Sequence, residues 1–283
     1  MVQIHETIAS FRAALDEARR SGATVGMVPT MGYLHDGHAS LMRQAAADND
    51  VAAASIFVNP LQFAANEDLA SYPRDLDRDV GLATESGVTH VLAPSVVEMY
   101  PEPVLTVVSV AEITQRFEGA IRPTHFAGVA TVVAKLFGIS GPCRAYFGEK
   151  DYQQLAVVRR MASDLSLPVE VVGCPTVRED DGLAMSSRNV YLTAEERAAA
   201  PVLHRALTGA AELVTAGERD PRVVQAALAA PIRAEPLARL DYAAVVDARS
   251  LADLDPLVGE LRLLVAATFG RARLLDNRGV VAD

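Results

Sequence analysis

The sequence predicts an α/β protein: a doubly wound parallel sheet followed by a smaller α+β domain. Three observations carry that prediction. Short apolar runs alternate with helically spaced segments from Ile8 to Val172, the β-α-β order that gives a parallel sheet with helices on both faces. The run Val51-Ala-Ala-Ala-Ser-Ile-Phe-Val is apolar without a break and stops at Asn59-Pro60, as expected of a strand buried on both sides. Beyond the polar stretch Pro175–Asn189 the order becomes helices first and strands afterwards. The division expected is therefore 1–176 for the sheet domain and 177–283 for the smaller one, with that stretch as hinge and the second domain as a movable lid.

Taken in order, Ile8, Phe11, Ala14, Leu15 and Ala18 have helical spacing and stop at Ser21-Gly22. Thr24–Pro29 reads as the first strand, and the helix after His38 runs to about Ala47. After the second strand, Asp75–Ser86 is a helix ended by Gly87, and Thr89–Ala93 a strand. Phe126–Phe137 reads as helix, Arg144–Phe147 as strand, Tyr152–Leu165 as helix and Val169–Val172 as strand, which completes a Rossmann-like domain. Thr193 with Glu196 makes a capping box, opening one helix to about Thr215. A further helix over Pro221–Ala234 precedes three β-rich stretches, Tyr242–Val246, Leu261–Phe269 and Arg273–Leu275.

Composition narrows the function. The 283 residues are 50% hydrophobic and 22% charged, ordinary for a globular enzyme. A net charge of −10 argues against nucleic acid as a partner, since phosphate neutralisation needs clustered Lys and Arg. Cys143 and Cys174 lie outside any metal-type spacing and read as reduced cytosolic thiols. The N-terminus carries Glu6, Asp16 and Glu17 with no signal-peptide pattern, and the most apolar segments are too short to span a bilayer. The expectation is a cytoplasmic protein with no membrane partner.

The chemistry concentrates in Val25–His38, where a strand, a turn with Gly32 and a helix start lead into His35-Asp-Gly-His38. Unpaired N–H groups and the positive dipole end favour an anion at such a helix start. Histidines at i and i+3 on the first turn share a face and can bracket one phosphate. A single histidine at a helix start is most often a cap; a pair around a glycine is far rarer.

Here the sequence resembles the His-x-Gly-His nucleotidyltransferases, and the wider string Pro29-Thr-Met-Gly-Tyr-Leu-His-Asp-Gly-His38 resembles the pantothenate synthetase family. Five further segments match that family in order: Asn59-Pro-Leu-Gln-Phe63, Tyr72-Pro-Arg-Asp75, Arg122-Pro-Thr-His-Phe-Ala-Gly128, Gly148-Glu-Lys-Asp-Tyr-Gln-Gln154 and Gly182-Leu-Ala-Met-Ser-Ser-Arg-Asn189. Near the end Arg273-Leu-Leu-Asp-Asn277 is a thinner match.

The resemblance implies ATP-dependent joining of pantoate to β-alanine through an acyl-adenylate, by a homodimer using Mg2+. It assigns His35, His38, Lys150 and Arg188 to catalysis, with His38 the proton-donor candidate. ATP would meet Met31, Gly32, Gly37, the two histidines, Gly148, Lys150, Asp151, Val177, Met185, Ser186, Ser187 and Arg188. Met31, Asn59, Gln62 and Gln154 would hold the small substrates, and Asp79 the metal. The resemblance leaves the β-alanine contacts and the roles of Arg122 and His125 unassigned. Two other functions share the histidine device: adenylyl transfer to a phosphate ester, and nucleotide sensing without catalysis. AMP release dependent on pantoate and β-alanine separates the three.

Overall fold

The computed structural model describes residues 2–63, 69 and 72–283. Two compact units emerge, Met1–Glu149 with Gln153–Pro175, and Lys150–Tyr152 with Thr176–Asp283.

The first unit opens with β1 (Gln3–His5), a short strand whose three residues are too few to give a periodic signal. Thr7 caps α1 (Ile8–Arg20), accepting from the Ser10 N–H at 3.2 Å, and the helix buries Phe11 and Leu15. Next come β2 (Val25–Thr30), α2 (Asp36–Asp48), β3 (Val51–Ile56), α3 (Leu76–Glu85), β4 (His90–Leu92) and the short α4 (Val96–Met99) and α5 (Glu118–Ile121). Then follow α6 (His125–Ser140), β5 (Cys143–Gly148), α7 (Tyr152–Asp164) and β6 (Val169–Cys174).

All six strands run parallel in the order β1-β4-β3-β2-β5-β6. The chain winds outward from β2 through β3 and β4, then crosses to β5 on the other side, so the order reverses at β2. Ligands of such sheets bind at the strands' carboxyl ends beside this reversal. Thr30, Ile56 and Gly148 end the strands there. Ala52 and Ala54 in β3 are buried and small, which admits Leu41, Met42 and Ala45 of α2 close to the sheet. Tyr146 is fully buried, yet its hydroxyl donates to Asp48 at 3.0 Å and accepts from Asn49 Nδ2 at 2.8 Å. Those bonds satisfy its one polar atom.

In the second unit the expected single helix from Thr193 is two, α8 (Ala194–Ala199) and α9 (Val202–Thr215). The Thr193–Glu196 capping box forms as expected, but Pro201 lacks an N–H and breaks the ladder. α10 (Pro221–Ala234) follows, then the antiparallel sheet β7 (Ala238–Asp247), β8 (Gly259–Phe269), β9 (Ala272–Ala282) in that order. β9 extends well past the expected Leu275. Asp276 and Asn277, which look like turn residues, are buried in the strand because each finds polar partners. Leu203, Leu207, Val224 and Leu228 pack with Leu263 and Val265 in one core. Burial of side chains of this size contributes about 1.5–3 kcal/mol each.

Candidate active site

Both histidines at the start of α2 are caps. His35 is the N-cap, its Nδ1 accepting from the Gly37 N–H at 3.1 Å, while His38 Nδ1 accepts from the His35 N–H at 3.4 Å. The rings lie 4.1 Å apart between centroids, tilted by 47°. The helix thus starts at Asp36, ahead of the run beginning at Ala39 that the sequence suggests, and His35 stands before the first turn instead of on it. This arrangement fixes chemistry. With both Nδ1 atoms accepting from backbone N–H groups, the neutral rings carry their protons on Nε2 as hydrogen-bond donors. Gly37 has its own reason: a Cβ there would lie 2.8 Å from His35 Cε1.

The turn before the pair is built from left-handed residues, Gly32 at φ +85 and Tyr33 at φ +50. For tyrosine that conformation costs of order 1–2 kcal/mol, and something must hold it. Asp79 on α3 does so. Its Oδ2 accepts from the Tyr33 N–H and its Oδ1 from the Leu34 N–H, each at 2.7 Å, and the residue is 1% exposed. Arg78 donates to the Leu34 carbonyl at 3.0 Å and lies over the Tyr33 ring at 5.2 Å.

The residue expected at the metal is thus tied into the turn that precedes the histidine pair. A magnesium ligand presents an oxygen toward water and phosphate; here each Asp79 oxygen accepts from one backbone amide of the turn. Among the described residues no three His, Cys, Asp or Glu side chains group as a metal cage.

Asn59 is enclosed by partners of its own. It is 1% exposed. Its Nδ2 donates to Gln62 Oε1 at 3.1 Å and the Gly128 carbonyl at 3.2 Å, while Oδ1 accepts from the Tyr100 hydroxyl at 2.9 Å and the Leu61 N–H at 3.3 Å. Both amide hydrogens and the oxygen are occupied, so Asn59 supports Gln62. Burial pushes the Tyr100 phenol up to about 12, keeping it a donor. Gln62 itself is 8% exposed, and its Nε2 lies 3.0 Å from Met31 Sδ, which brings together two residues predicted to meet pantoate.

The Arg122–Gly128 segment now has a role that sequence reasoning missed. His125 Nδ1 lies 3.1 Å from the Gln62 carbonyl, and Arg122 donates to it at 3.4 Å. At Gly128 a Cβ would overlap the Leu61 carbonyl, so only glycine lets α6 approach the turn carrying Gln62. Its appearance as a motif was the signal; the contact needed the fold.

On α7, Gln153 is buried and spent on structure, donating to the Ile113 and Arg116 carbonyls and accepting from the Glu118 N–H. Gln154 beside it is half-buried. Gly148 closes β5 and pairs with Cys174.

In the second unit Lys150 Nζ lies 3.4 Å from Asp151 Oδ1, and the Lys150 carbonyl accepts from Asn277 Nδ2 at 2.8 Å. Asn277 Oδ1 in turn accepts from Arg262 Nε at 2.7 Å. Val177 accepts from the Met185 N–H at 3.0 Å, joining two residues expected at ATP. Arg178 holds this hairpin to β9 through a two-pronged pair with Asp276 at 2.7 and 2.9 Å. Asn189 donates to the Ala184 carbonyl, and Ser186 Oγ caps the turn by accepting from the Arg188 N–H. Ser187 begins the short 3-10 turn Ser187–Tyr191, and the Arg188 side chain is exposed. The thin C-terminal motif is thus the support of Lys150 and Arg178.

A doubly wound parallel sheet whose switch-point helix is capped by a His-x-Gly-His pair defines the class of α/β nucleotidyl-transferring enzymes. A family model described as Pantoate-beta-alanine ligase matches residues 3–279. A pantothenate synthetase from Sinorhizobium medicae is 55% identical over 273 residues, covering 96% of this chain and 94% of its own. The crystal structure of pantothenate synthetase from Thermus thermophilus has a TM-score of 0.93 at 52% identity, covering 99% of this chain and 100% of that one. That of the Francisella tularensis ligase, complexed with beta-gamma ATP and β-alanine, has a TM-score of 0.78 at 31% identity, covering 98% of this chain and 97% of its own. The chain belongs to the pantoate–β-alanine ligase family.

Proposed function

We propose that the protein condenses (R)-pantoate with β-alanine in two steps, with its site residues in the following roles. A carboxylate is a poor electrophile. A pantoate oxygen first attacks the α-phosphorus of ATP, the bond to the β-phosphate oxygen breaks, and diphosphate leaves. The β-alanine amine then attacks the acyl carbon of the pantoyl-adenylate and AMP departs, leaving the amide.

His35 and His38 donate from Nε2 to the α-phosphate oxygens, where charge builds during the displacement. The observation carrying this role is the reciprocal cap, which keeps each Nδ1 on a backbone N–H. Gln62 and Gln154 recognise pantoate, using amides that both donate and accept, beside Met31. Lys150, Ser186, Ser187 and Arg188 neutralise the triphosphate and departing diphosphate. Gly148 and Asp151 meet the ribose, while Val177 and Met185 lie by the adenine. Magnesium enters as part of the Mg2+–ATP substrate, a usual mode for a cation that keeps its waters. Family resemblance supports extending the reading to a homodimer working in the cytoplasm. Among the described residues no helix is long and apolar enough to cross a membrane.

The test is isotope exchange between ATP and diphosphate. Exchange is expected with pantoate alone, without β-alanine. His38→Ala should lower turnover roughly a hundredfold while the protein stays folded, as for loss of one transition-state donor. Exchange in the absence of any acid, or unchanged turnover in the variant, counts against these roles.

A further inference from the structure

We infer that Asp79 is a positioning residue for the histidine pair and not a metal ligand: it anchors the left-handed Gly32-Tyr33 turn that delivers His35 to the start of α2. The inference rests on the proposed phosphate role of His35 and His38.

Successive backbone N–H groups in a turn form a concave anion site, commonly filled by a phosphate. The N–H groups of Tyr33 and Leu34 make such a site. Its anion is internal, since the Asp79 carboxylate takes one N–H on each oxygen at 2.7 Å. Arg78 lies beside it, at 4.0 Å from Oδ1. Glycine at 32 belongs to the same device, because a Cβ there would come within 2.9 Å of Asp79 Oδ2.

Arg78 completes the clamp from its exposed side through the Leu34 carbonyl and the face of Tyr33. Leu34 is fully buried, so the residue before His35 is fixed at its N–H, its carbonyl and its side chain. Consequently the backbone N–H of His35, which His38 Nδ1 accepts, starts from a defined place. A displacement of about 1 Å at a catalytic group can cost on the order of a hundredfold in rate.

The experiment measures kcat, the KM for ATP and the Mg2+ concentration for half-maximal rate in wild type, Asp79→Asn, His35→Ala and the double variant. Asp79→Asn keeps size but replaces one acceptor with an NH2 facing an N–H. Its kcat is expected to fall roughly ten- to a hundredfold, with ATP KM and half-saturating Mg2+ within about twofold of wild type. In the His35→Ala background the same change should cost less than about threefold, the coupling expected of residues acting through one another.

A Mg2+ requirement raised about tenfold, with kcat restored at high Mg2+, makes Asp79 a metal ligand and overturns the inference. Independent, multiplying losses in the double variant overturn it too. If Asp79→Asn does not fold, Arg78→Met loosens the same clamp while leaving both Asp79–amide bonds in place; wild-type kcat there removes the clamp. Wild-type turnover in His35→Ala removes the phosphate reading and the inference with it. Lost turnover in His35→Ala alongside wild-type turnover in Asp79→Asn removes the clamp alone.

Discussion

Asn59 and Gln62 carry the same amide chemistry three residues apart, and only burial and partners tell them apart. The Asn-Pro-Leu-Gln segment was legible in the sequence as a unit, because Asn-Pro ends a strand and the wider string matches a family. Which amide the fold encloses was not legible, because that depends on Tyr100 and Gly128, far away in sequence. Asn59→Ala should leave the Tyr100 hydroxyl, the Leu61 N–H and the Gly128 carbonyl without their partner. Buried polar groups stripped of a partner cost about 1–3 kcal/mol, so chemical denaturation should report a loss of that size. Gln62 loses its support as well, so the KM for pantoate should rise in Asn59→Ala while the KM for ATP stays near wild type. A stable variant with unaltered pantoate KM would detach Asn59 from substrate binding.

Among elements, α6 shows how a helix can serve a site without lending it a ligand. Its apolar sequence made the helix legible, and its first turn matched a family segment of no derivable role. The reason is geometric: Gly128 brings the helix backbone against Leu61–Gln62, and Arg122 and His125 hold the Gln62 carbonyl. Helix periodicity says which face is apolar, not which neighbour lies under it. The break between α8 and α9 falls at Pro201, whose missing N–H marks it in the sequence. Gly128→Ala is the sharp test of the close approach. Since the added Cβ meets backbone instead of a flexible side chain, α6 must shift, at about 1–3 kcal/mol for overpacking. The expected outcome is a denaturation midpoint lowered accordingly and a raised pantoate KM. A variant as stable as wild type would show that the turn moves freely.

At the scale of the whole chain, the alternation of strands and helices and the later change of order were legible because periodicity repeats across many residues. Ionisation behaviour was not, because it comes from burial, which no single residue announces. Three histidines, two in the first compact unit and one in the second, have a pKa that burial lowers from the ordinary 6.5. In the first unit His5 on β1 and His90 on β4 lie ring to ring, Nε2 to Nδ1 at 3.1 Å, and the charge of His5 adds to the lowering at His90. His204 is lowered in the second, first by burial and then by Arg178. The folded protein therefore prefers these rings neutral, while the unfolded chain takes up protons near pH 6.5. Stability from the three is complete above that value and is lost as pH falls through their lowered folded pKa values. Asp48, Asp50 and Asp181, held below the ordinary 3.8 by hydrogen bonds, act only in a more acidic window. Urea midpoints should thus drop between pH 7 and 5 in wild type, and drop less in a His90→Gln, His204→Gln double variant, where two of the protons have no site. Equal slopes for the two proteins across that interval would show that the buried imidazoles do not set the acid sensitivity.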